Sequence, residues 1–134
     1  MLLGRIIDPL KKKHFMELSV QASLANGIIA EQQLLYLEQY AAEMRLTEYP
    51  TEATMPLDEL LDFIKEECTE TELKIITFEI IALLLCDHEY DDLEAAFIDK
   101  LKVTFGFPDV WITKVMATVY EIIAVLKRVD DLMA

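Results

Sequence analysis

The sequence predicts an all-α protein, a compact bundle of about six helices built from two related helical hairpins around a central apolar helix. Three observations carry this. Breakers are scarce, with three Gly and four Pro in 134 residues, against an abundance of the helix formers Leu, Ala and Glu. Apolar residues, 54% of the chain, recur at spacings of three and four and do not alternate. Start and stop signals for helices fall at intervals along the whole length. A chain of this size forms one domain and hides about two thirds of its unfolded surface.

The first helix is expected from Pro9 or Lys11 to Ala25, with Phe15, Leu18, Ala22 and Ala25 as one apolar stripe. Asn26-Gly27 stops it, since both residues tolerate the left-handed conformation of a helix C-terminus. The second runs from Glu31 to Met44, with Leu34, Leu37, Ala41 and Met44 on one face. Pro50 and Pro56 fence the loop that follows. Pro56 opens a short third helix whose stripe is Leu57, Leu60, Leu61, Ile64 and Cys68. Thr69 and Glu72 have capping-box spacing and start a fourth helix, Glu70 to Cys86. That helix is apolar nearly all round through ITFEIIALLLC, so it belongs at the centre. Asp91 and Glu94 repeat the capping-box spacing and open a fifth, which ends at Gly106. Pro108 starts the sixth, with Ile112, Val115, Val119, Ile122, Leu126 and Val129 on its buried side.

Asn26 laid on Asp87 gives an offset of 61 residues (87 − 26). Both segments then read helix, tight turn, helix, short loop, over about 14–46 and 75–107, with the remaining two helices filling in. The second turn reads Cys86-Asp87-His88-Glu89-Tyr90-Asp91-Asp92-Leu93-Glu94, and the first reads Ala25-Asn26-Gly27-Ile28-Ile29-Ala30-Glu31-Gln32-Gln33.

These turns resemble those of the TerB-like family, named for a tellurite-resistance protein and shared with the N-terminal domain of the co-chaperone DjlA. The family carries Ala-Asp-Gly, a few residues, then Glu, between two helices. The second copy here keeps Asp87 and the closing Glu94 but has Cys86 and His88 for Ala and Gly. The first keeps Ala25 and Gly27 but has Asn26 for Asp and Gln33 for Glu, with Glu31 as a stand-in two places early. The resemblance covers His14 to Leu126 and makes the whole chain, 1–134, one TerB-like domain. It implies an all-helical fold, a bacterial, cytoplasmic stress-response setting, an acidic metal site and no enzymatic reaction.

Charge narrows the partners. Acidic residues number 25 against 12 basic ones, a formal net charge of −13. That repels nucleic acid and anionic lipid, whose recognition needs clustered Lys and Arg. The one basic cluster, Lys11-Lys12-Lys13 with His14, reads as a solvated helix face. Two cysteines, Cys68 and Cys86, are too few for a disulfide framework and suit a reducing cytoplasm. No apolar run reaches the ~18 residues of a membrane span, and the N-terminus lacks the features of a signal peptide.

The acidic turn admits two readings. Asp87, Asp91 and Glu94 could converge on a divalent cation, with Glu31, His88 and Glu89 as further ligands. One asymmetric site is then expected, because Asn26, Ala30 and Gln33 take the corresponding places in the first turn; Glu31 with Asp87 across the two hairpins is a variant of it. Alternatively Asp91 is an N-cap, Glu94 completes its box, Asp92 complements the helix dipole and Asp87 satisfies turn donors. An EF-hand is excluded, since position six from Asp87 is Asp92 and position twelve is Ile98. Cys86-Asp87-His88 is no catalytic triad, because neighbours on a helix do not face each other. No phosphate loop and no Glu-x-x-His pair is present. The expectation is a non-enzymatic, acidic interaction or stress-response module with a protein partner. The alternative is a metal-binding protein, and a homodimer stays open.

Overall fold

Helix boundaries follow from local chemistry at nearly every end. The computed structural model describes residues 1–87 and 90–134. After a 3-10 turn at Leu3–Arg5 come α1 (Pro9–Ser23), α2 (Glu31–Glu43), α3 (Leu57–Glu67), α4 (Glu70–Leu85), α5 (Asp92–Phe105) and α6 (Asp109–Met133). There is no strand among the described residues. Asp8 caps α1, its Oδ1 accepting from the amides of Leu10 at 2.9 Å and Lys11 at 3.1 Å, with Pro9 presetting the first turn. Thr69 and Glu72 form the full box that opens α4. Pro56 and Pro108, both extended, precede α3 and α6.

Two helix ends turn through the left-handed region. Gly106 (φ 77°) closes α5, and the amides of Gly106 and Phe107 both donate to the Lys102 carbonyl. Arg45 (φ 59°) does the same after α2, where the Leu46 amide donates to the Ala41 carbonyl and the Arg45 amide to that of Ala42. Glycine takes this conformation freely; arginine does so at a cost.

The bundle has α4 at its centre, packed on α1, α2, α5 and α6. Ile76, Ile80, Ile81, Leu83, Leu84 and Leu85 are sealed from solvent. Helix α1 is equally enclosed, a finding the single expected stripe does not anticipate. Every residue from His14 to Val20 is buried, Glu17 and Ser19 included. Most of the polar atoms have partners, while Glu17 Oε2 is buried without a hydrogen-bond partner among the described residues. Ser19 Oγ donates to the Phe15 carbonyl, Ser23 Oγ to that of Ser19, and Glu17 accepts from the Thr54 amide at 2.7 Å and from the Thr54 hydroxyl. The Glu17 contacts, with Gln21 Nε2 donating to the Met55 carbonyl, tie the α2–α3 loop down.

Helices α1 and α4 begin 61 residues apart (70 − 9), as do α2 and α5 (92 − 31). In each half the third helix lies on the first, α3 on α1 and α6 on α4. Helix α3 also packs on α5, whereas α6 makes no comparable contact with α2.

Three details differ from the periodicity. Helix α1 ends at Ser23, so Ala25 lies in the turn. Leu34 on α2 is exposed. On α6 only Ile112, Val115 and Val119 are buried, while Leu126 and Val129 are 52% and 44% exposed. The apolar stripe is present, but the other helices leave its second half largely uncovered.

Candidate functional site

The carboxylates of the acidic turn serve helix α5. Asp91 Oδ1 accepts from the Glu94 amide at 2.8 Å, and Glu94 Oε1 accepts from the Asp91 amide at 3.3 Å, a complete capping box. The second oxygens turn toward the first half of the chain. Asp91 Oδ2 accepts from Asn26 Nδ2 at 3.4 Å, and Glu94 Oε2 accepts from Gln33 Nε2 at 3.1 Å. Gln33 in turn accepts the Ala30 amide on its Oε1 at 3.1 Å, a half-box at the start of α2. The starts of α2 and α5 therefore face each other, joined by an amide–carboxylate bond between residues 61 apart.

Gln33 and Glu94 are both sealed from solvent, at 0% and 1% exposure. Burial raises the Glu94 carboxyl above its usual value, opposed by the Asp91 amide and, more weakly, by Gln33. Every oxygen of Asp91 and Glu94 thus accepts from a neutral donor. Asp87 is half-buried at the end of α4 and engaged in interactions of its own. Glu31 stands exposed at the first position of α2. His88 and Glu89 lie outside the described residues. Among the described residues no three His, Cys, Asp or Glu side chains gather closely enough to hold a metal ion.

The thiols are poor nucleophiles, since burial pushes Cys86 up to about 12 and Cys68 to about 11. The basic cluster is not a free solvated face. Lys11 Nζ donates to Glu72 at 2.8 Å, again 61 residues away, and Lys12 Nζ to the Met44 carbonyl at the end of α2. Burial works against ionised Glu72, yet Lys11 and Thr69 hold its carboxyl below the ordinary range. His14 is buried, donates to Glu67 at 2.6 Å and stacks on Phe63. No helix is long and apolar enough to cross a membrane.

A second feature was not found by sequence reasoning. Between α2 and α6, with α4 as floor, runs a groove whose deepest part is a cavity of about 320 Å³ lined by Tyr36, Phe78, Ala82, Val119, Ile122 and Ile123. It continues toward Leu35, Leu126 and Asp130. At one end Glu43 and Glu79 hold the Met1 ammonium at 2.8 and 3.2 Å. Glu79 is 3% exposed, and burial raises its carboxyl although the ammonium opposes the shift. Tyr40, buried beneath, donates its hydroxyl to the Glu79 carbonyl at 2.6 Å. The only signal in sequence was the apolar continuation of α6 beyond Ile122.

No family model matches the chain, and no curated protein or solved structure matches it either.

Proposed function

We propose that this chain is a non-enzymatic, acidic protein-interaction module of TerB-like type, acting through the groove between α2 and α6. The observation that carries the reading is the open, apolar α2–α6 face, where Leu126 continues the α6 stripe past its cover. An exposed apolar patch rimmed by polar groups is the ordinary mark of a docking surface. Two further features support the absence of catalysis. The surroundings of buried Cys86 and half-buried Cys68 disfavour thiolate, and Asp91 and Glu94 are occupied as helix caps. The TerB-like resemblance, with its bacterial stress-response setting, is part of the same proposal and rests on the two turn motifs.

The test is affinity capture from native extract on wild-type bait and on Leu126→Asp bait, an exposed substitution expected to leave melting unchanged. A partner retained by wild type and lost on the variant supports the module. If micromolar Ca²⁺, Mg²⁺, Mn²⁺ or Zn²⁺ instead raised the melting temperature sharply through binding linkage, and Asp91→Asn abolished the effect, the metal-binding reading would replace it.

A further inference from the structure

We propose that the occupant of the α2–α6 groove is a basic amphipathic helix of a protein partner, its apolar face on α4 and α6 and its Lys or Arg side chains on the acidic rim. This rests on the interaction reading above and adds the chemistry of the partner.

The fold supplies the first argument. Helix α3 closes the space between α1 and α5, and α6, third helix of the second half, leaves the matching space beside α2 open. The groove lies along a helix of 13 residues, about 20 Å at 1.5 Å per residue, which suits three to four turns of a partner helix. Helix-in-groove recognition uses apolar anchors at i, i+3, i+4 and i+7, and the aromatic and aliphatic floor offers them seats.

Charge supplies the second. Helix α2 carries Glu31, Glu38 and Glu43 and no Lys or Arg. Glu38 and Glu43 line one wall, Asp130 the other, and Glu79 the deep end, with Lys127 as the rim lysine. Glu43 and Glu79 are engaged by the Met1 ammonium, so the rim charge offered to a partner comes from the exposed Glu38 and Asp130. An acidic or neutral helix gains nothing from this rim. A second copy of the chain brings its own net charge of −13 against it.

The probes are two fluorescein-labelled synthetic helices of about 14 residues with identical Leu anchors, one flanked by Lys and one by Glu, followed by anisotropy. The Lys peptide should bind saturably and at least ~10-fold tighter than the Glu peptide, losing affinity between low and high salt. Glu38→Lys with Asp130→Lys should reverse the preference. Leu126→Asp should weaken the Lys peptide although it adds a negative charge, because it spoils the apolar seat. Equal binding of both peptides, or indifference to Leu126→Asp, overturns the inference and leaves the interaction reading standing. Failure of both peptides while wild-type bait still captures a Leu126-dependent partner does the same. Failure of both peptides with no such partner overturns both. A concentration-dependent dimer that Leu126→Asp dissociates and the Lys peptide cannot displace assigns the groove to a second copy and also overturns the inference.

Discussion

Replacing Gln33 by Glu tests the pairing at the meeting point of α2 and α5. In the native chain Gln33 Nε2 donates to Glu94 Oε2 at 3.1 Å, with both side chains sealed from water. The substitution is nearly isosteric, and Glu at this position still accepts the Ala30 amide. What changes is that a donor becomes a second carboxylate. A hydrogen bond to a charged group contributes ~1.5–3 kcal/mol. Two unit charges at this distance repel by ~5 kcal/mol at an effective dielectric constant of about 20, before side chains relax apart. A loss of roughly 3–5 kcal/mol at neutral pH is expected, a large share of a domain's stability. The loss should be pH-dependent. Two carboxylates sharing a site raise the folded-state pKa of one of them, so the folded state binds more protons than the unfolded state above the ordinary carboxylate range. Stability of the variant then rises as pH falls from 7 toward 5, the reverse of acid denaturation, because a shared proton restores a donor. Chemical denaturation of wild type, Gln33→Glu, and the swap Gln33→Glu/Glu94→Gln at pH 5 and 7 measures this. The swap keeps one amide and one carboxylate, and Gln completes a capping box as Glu does, so it should return most of the stability. A single-variant loss below about 1 kcal/mol, an equal loss at both pH values, or a swap no better than the single variant refutes the pairing.

Leu84→Ala, at a position fully sealed in α4, should cost roughly 2–5 kcal/mol by denaturant titration; under ~1 kcal/mol would remove α4 from the centre. Asp91→Asn should be nearly silent in melting experiments and Asp91→Ala should cost ~1 kcal/mol, since Asn caps about as well as Asp; equal losses would show that charge and not capping matters. Arg45→Gly should stabilise by ~0.5–1 kcal/mol and Gly106→Ala destabilise by a similar amount, because both positions are left-handed; opposite signs would refute the assignment of α2 and α5 termini.

The elements most legible in sequence were those fixed by local chemistry. Thr69 with Glu72, Asp91 with Glu94, and Gly106 each announce a boundary through a bond spanning three to five residues, and the structure has all of them. Burial of α4 was legible for a similar reason, since a helix without a polar face has no other place. Burial of α1 was not, because Glu17, Ser19 and Ser23 are polar and nothing local reveals that Thr54 and the preceding carbonyls lie beside them. The exposed end of α6 was illegible because periodicity records which face is apolar, not whether anything lies against it. Of the candidate ligands, Asp91 and Glu94 do come together, but the partners that define them, Asn26 and Gln33, are brought there only by the packing of the halves.

That packing explains where the two turns differ. Lys11 with Glu72 and Gln33 with Glu94 are both pairs of residues 61 apart, so each joins corresponding positions of the two halves. A position that meets the residue 61 places away cannot carry the same charge in both halves without repulsion at short range. Two glutamates at 33 and 94 would need a proton or a cation between them; two lysines or two glutamates at 11 and 72 would repel likewise. The chain has lysine against glutamate in one case and amide against carboxylate in the other, with each side chain still doing its local work. Glu72 and Glu94 complete capping boxes, and Gln33 accepts the Ala30 amide. Gln33, where the second half has Glu94, is therefore the residue that lets the opposing carboxylate remain buried with a donor of this chain's own.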